Sequence, residues 1–68
     1  EVLHYLYDHQ QEIVPRDDLI HKVWGLDGGI TTRTVDNFIL RLRQKIEQNP
    51  NDPHIILTVH GVGYKMVL

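Results

Sequence analysis

Between Thr32 and Gln44 the sequence TRTVDNFILRLRQ places Arg33, Asn37, Arg41 and Gln44 three or four residues apart, with Leu40 among them. On a helix such residues share one face. Guanidinium groups match guanine O6 and N7, and a carboxamide matches adenine N6 and N7. An outward leucine can touch a thymine methyl. Asn37 and Arg41 stand one turn apart and point the same way. Arg43 and Lys45 add positive charge on the flanks, against a single Asp36 between Thr32 and Gln44. Base-edge reading in a groove is one chemistry this pattern suits. A solvated basic surface is the other, and the helix alone leaves both open.

Other chemistries find less support. The 68 residues contain no cysteine and no serine, so the usual thiol and hydroxyl nucleophiles are missing. Five histidines are present, but His4 and His9 lie five apart, His21 sits elsewhere, and no HExxH or cysteine partner accompanies them. The carboxylates gather at expected helix starts, where capping accounts for them. Neither an enzyme nor a metal or cofactor site is expected. The longest aliphatic run, Ile55-Ile56-Leu57, is far short of a membrane span, and lack of cysteine fits a reducing, cytoplasmic setting.

Several elements must position the basic face. Val35, Phe38, Ile39, Leu42 and Ile46 form the apolar stripe of an amphipathic helix over 32–47. Thr32 is expected to cap it, with Asp36 in its first turn and Arg43 and Lys45 near its negative end. Before it, residues 1–9 read as a helix without a clear cap, turning Val2, Leu3, Leu6 and Tyr7 inward. A short strand is expected over Glu12–Val14. Pro15 then suits the first position of a second helix, with Leu19, Ile20, Val23 and Trp24 inward and Gly25 as its stop. Residues 26–31, with Asp27-Gly28-Gly29, form a loop. After the breaks at Pro50 and Pro53, residues 54–59 and 64–68 read as a hairpin around His60, Gly61 and Val62.

The net charge of −2 runs against a nucleic-acid partner, but its distribution does not. In residues 1–29, Arg16 and Lys22 stand against Glu1, Asp8, Glu12, Asp17, Asp18 and Asp27, a balance of −4. In residues 30–68, Arg33, Arg41, Arg43, Lys45 and Lys65 stand against Asp36, Glu47 and Asp52, a balance of +2. One small domain of this size gains only ~3–5 kcal/mol from its core, so each buried aliphatic matters. The expected class is α+β: a winged helix-turn-helix, with three helices, a strand between the first two, and a C-terminal hairpin.

RTVDNFILRLRQKIE (33–47), TVHGVGYK (58–65) and VPRDDLIHKVWG (14–25) together resemble the winged-helix effector domain of OmpR/PhoB-type response regulators. The segments lie in the family's order and cover nearly the whole chain. The resemblance implies sequence-specific double-stranded DNA binding in transcription control, with helix 32–47 in the major groove and wing 58–65 at the minor groove. By position, Asn37 and Arg41 match base-contacting residues and His60 matches the residue entering the minor groove. Arg33, Thr34, Phe38, Leu40 and Arg43 match positions near the phosphates. Trp24 and Tyr64 match further phosphate contacts, and Thr58 and Gly61 match wing contacts. Leu26, Asp27, Gly28, Gly29, Ile30 and Thr31 correspond to a loop that touches RNA polymerase in some members. Head-to-tail dimers on DNA, a receiver domain and a cognate sensor kinase belong to the same expectation, with this chain a fragment lacking the family's N-terminal sheet and receiver.

Three positions depart from the family. His60 stands where arginine is usual, and an ordinary imidazole is mostly neutral at pH 7. Phe38 replaces a common histidine, and Leu40 a polar or basic residue. Trp24 and Tyr64 also suit a core, while Gly61 and Gly63 suit a turn. From the residues alone, two other readings stand beside DNA binding: a protein-interaction module docking its basic helix on an acidic partner, and RNA binding, which the lack of an aromatic platform disfavours.

Overall fold

A computed structural model of the chain describes residues 1–25 and 29–68. Helix α1 (Val2–Asp8) does have a cap: the Glu1 carboxylate accepts the His4 N–H at 2.8 Å. A glutamate reaches this donor with a longer side chain than the usual capping residues, which is why the start looks uncapped in sequence. Val2 and Leu6 are fully buried, with Leu3 and Tyr5 packed beside them. Tyr7, expected inward, is 52% exposed. Leu3 and Tyr5 flank the Val2–Leu6 line at helical spacing, whereas Tyr7 falls beyond it.

Strand β1 comprises Val14–Pro15, later than the Glu12–Val14 expected. Pro15 is therefore extended (φ −61°, ψ 148°) and precedes helix α2 (Arg16–Leu19) without joining it. The expected second helix is also not uniform. Its second half, Ile20–Trp24, is a π-helical turn, closed where the Gly25 N–H reaches the Ile20 carbonyl at 2.9 Å.

Helix α3 (Thr32–Ile46) buries Val35 and Ile39 completely, and Phe38, Leu42 and Ile46 pack partly buried against the same core. Each fully buried aliphatic of this kind contributes ~1.5–3 kcal/mol. The boundary residue is Thr31, not Thr32, and its side chain makes no capping bond. Asp36 consequently sits past the first turn. Glu47, expected as the last helical residue, is extended (φ −84°, ψ 140°) and buried. Its carboxylate accepts the backbone N–H groups of His54, Ile55 and Ile56, at 2.9, 2.9 and 2.8 Å. Burial pushes the Glu47 pKa up, but these three donors and the Arg43 charge outweigh it and hold it below the ordinary value. The proline-broken segment is thereby pinned to the end of α3.

Strands β2 (Ile56–Val59) and β3 (Gly63–Met66) form the antiparallel hairpin, shorter at both ends than the sequence suggests. The sheet order is β1-β3-β2, so β3 is central, pairing Val14 with Tyr64 and Thr58 with Tyr64. Gly63 makes this possible: a β-carbon there would collide with the Val14 carbonyl oxygen and come within 2.9 Å of the Pro15 Cα. The core joins α1, α2 and α3 to the sheet through Leu6, Leu19, Ile39, Ile56 and Met66. The architecture is α+β, three helices with a small sheet whose β2–β3 hairpin forms a wing.

Candidate nucleic-acid interface

With Val35 and Ile39 buried, helical periodicity turns the opposite face of α3 to solvent. Arg33, Thr34, Asn37, Leu40, Arg41 and Gln44 are all exposed, as the spacing requires. Among the described residues, the Arg33, Asn37 and Arg41 side chains have no hydrogen-bond or ion-pair partner. These three groups are available to an external ligand. Their donors lie on a helix whose Val35 and Ile39 are fully buried in the core.

The other side of α3 is fastened to the wing. Tyr64 Oη donates to Asp36 Oδ1 at 2.6 Å, and Arg16 Nη1 pairs with Asp36 Oδ2 at 3.0 Å. Arg43 donates from Nε and Nη2 to the Ile56 carbonyl, at 3.0 and 2.7 Å, and from Nη2 to Thr58 Oγ1 at 2.8 Å. Its guanidinium carbon also lies 5.5 Å from the centre of the Tyr64 ring, within cation–π range. Burial, then the hydrogen bond to Asp36 and its negative charge, push the Tyr64 hydroxyl up to about 12. Tyr64, Thr58 and Arg43 thus already have internal partners. Of the Arg43 nitrogens only Nη1 keeps uncommitted donors among the described residues, and the Thr58 hydroxyl, which accepts from Nη2, keeps its own O–H.

Between α3 and the wing runs a cavity of about 220 Å³, lined by Arg16, Asp36, Thr58, Val59, His60, Gly61, Gly63 and Tyr64. His60 and Gly61 are exposed at the tip, and Gly61 takes φ 77°, a conformation glycine adopts without strain. Val62 is 44% exposed, while its carbonyl accepts the Arg16 N–H at 3.2 Å. The wing is therefore tied to the start of α2 as well as to α3.

Trp24 and Phe38 are half-buried and meet edge to face, with ring centroids 5.6 Å apart and planes at 84°. Most of each ring serves the packing of the second helical segment on α3, leaving an edge for any outside contact. Of the loop expected to touch polymerase, Leu26, Asp27 and Gly28 lie outside the described residues. Gly29 and Thr31 are exposed, and Ile30 is half-buried.

Arg16 and Asp36 are site residues that sequence reasoning missed. Their partners lie 20 and 28 residues away, and each has a ready local explanation as a charge near a helix start. Among the described residues no group of three or more His, Cys, Asp or Glu side chains could hold a metal. No helix there is long and apolar enough to cross a membrane.

Comparison with known proteins gives the same picture. The family model described as "Transcriptional regulatory protein, C terminal" matches residues 1–66. The response regulator DrrB of Thermotoga maritima, an OmpR/PhoB homologue, superposes with a TM-score of 0.84 and 34% identity over 96% of this chain. The chain spans 29% of that protein's length. The DNA-binding domain of Bacillus subtilis CssR superposes with a TM-score of 0.81 and 33% identity, over 97% of this chain and 69% of that one.

Proposed function

The chain belongs to the family of transcriptional regulatory protein C-terminal domains, in its OmpR/PhoB class, and on that premise we propose how it recognises DNA. A domain of this class binds DNA to regulate transcription within a two-component system. Here α3 lies in the major groove of double-stranded DNA. Asn37 and Arg41 read base edges, and the wing brings His60 to the neighbouring minor groove. Arg33 and Thr34, exposed at the start of α3, meet phosphates and fix the register. Phe38 and Trp24 offer ring edges to the backbone, and Leu40, Thr58 and Gly61 face the duplex beside them. Arg43 reaches the backbone only through Nη1, and Tyr64, whose hydroxyl donates to Asp36, serves the interface by holding the wing to α3.

The observation carrying this reading is the exposed Asn37–Arg41 pair on a helix whose wing is fastened alongside it. Electrostatics agree, because the exposed face of α3 is basic while the acidic balance belongs to the first half of the chain. In the whole protein, a receiver domain answering a sensor kinase controls this domain, and residues 26–31 contact RNA polymerase. Two copies bind direct repeats head to tail in the cytoplasm.

Selection of binding sites from random duplexes, followed by a salt series on the winner, tests the assignment. A preferred sequence whose affinity falls steeply with salt is expected, since phosphate contacts release counterions. Absence of binding at low salt would sink it and favour an acidic protein partner for the same helix face.

A further inference from the structure

Leu40 is 52% exposed at the middle of α3. Asn37 precedes it by one turn, Gln44 follows by one turn and Arg41 adjoins it, all exposed. It is absent from the buried core and from the apolar side chains packed against that core. A lone exposed leucine is ordinary. This one lies inside the patch that faces the bases, where every neighbour carries a hydrogen-bonding group.

We propose that Leu40 determines specificity by packing on the C5-methyl group of a thymine in the major groove. The proposal rests on the DNA-binding reading above and deepens it. Base edges in that groove present donors and acceptors, with the thymine methyl as their apolar group. Set against any polar edge, the leucine strips water from a group and returns no hydrogen bond. Set against a phosphate, it gains nothing from the charge. A methyl is the one feature that rewards its position between Asn37 and Arg41. The base it selects is therefore adjacent to those read by its two neighbours.

The test uses the duplex chosen by binding-site selection. Each thymine beneath α3 is replaced in turn by deoxyuridine, which keeps the pairing and removes only the methyl. Affinity is measured at one salt concentration for the parent and for Leu40→Ala. One replacement is expected to weaken the parent about fourfold, the effect of losing one buried methyl-sized group, and to leave Leu40→Ala unchanged. Leu40→Gln, in a fresh selection, should lose the thymine preference at that position only.

If no methyl matters to the parent, or if the same replacement weakens Leu40→Ala equally, the proposal is overturned while DNA binding stands. If no sequence is preferred at all, the DNA reading itself has failed. Because Leu40 is outside the core, both variants should melt like the parent, which a thermal scan verifies.

Discussion

The hydroxyl of Tyr64 donates to Asp36 Oδ1 across 2.6 Å, so the central strand of the sheet and helix α3 share one hydrogen bond. Through Asp36 Oδ2 the same carboxylate takes the Arg16 guanidinium at 3.0 Å. Three segments thus meet at one side chain. Position of the wing relative to α3 is set here, within one turn of Asn37.

Alkaline pH should loosen this junction. Tyr64 holds its proton more tightly folded, at about 12 against an ordinary 10.0. Its contribution is therefore complete below pH 10 and disappears as pH rises through the folded value. The tyrosinate absorbance of Tyr64, read as the difference between the parent and Tyr64→Phe, should develop only as pH approaches about 12. A difference signal complete near pH 10 would contradict the hydrogen bond to Asp36.

Arg43→Lys separates charge from geometry. Lysine keeps the positive charge but cannot fork onto the Ile56 carbonyl while also reaching Thr58 Oγ1. A stability loss of ~1–3 kcal/mol is expected in urea unfolding. The salt dependence of DNA binding should stay near the parent's, while discrimination at the wing's flank weakens. Full recovery of stability by lysine would mean that charge alone is needed there.

Acid should release the segment after α3. The Glu47 pKa is depressed in the fold, so its stabilisation is full above the ordinary 4.5 and is lost as pH falls through the folded value. Glu47→Gln should cost ~1–3 kcal/mol near neutral pH, since bonds to a charged acceptor exceed those to a neutral one. That gap should close on acidification. A gap constant from neutral to low pH would place the effect in packing instead.

Roles on the exposed face should separate by substitution. Arg41→Ala is expected to cost ~1–3 kcal/mol on the preferred site and to blur one base position. Arg33→Ala should weaken all sequences alike and lower the salt slope by about one. Identical behaviour of the two variants would reject the division between base and phosphate contacts.

His60 stands exposed at the tip of the wing, where a fixed charge can be added without disturbing the core. His60→Arg should raise DNA affinity and steepen the salt slope by about one, because a guanidinium brings a permanent charge to the groove. Equal affinity and salt slope in the parent and in His60→Arg would remove position 60 from the minor groove.

The helix order, the hairpin, the inward stripe of α3 and the outward set of Arg33, Asn37, Leu40 and Arg41 are all legible in the residues alone. Those features follow from periodicity and from turn residues, which act over a few positions. What Asp36, Arg16, Arg43, Tyr64 and Glu47 do emerges only once the chain is packed. Their partners are 7 to 28 residues distant, and a charge near a helix end reads the same in sequence whether it meets solvent or a strand. The cap at Glu1 and the outward Tyr7 were also hidden, because each turns on where one helix begins and how it sits on the core. Local pattern can say which side of a helix is wet; it takes the packed chain to say which polar groups on that side are already spoken for.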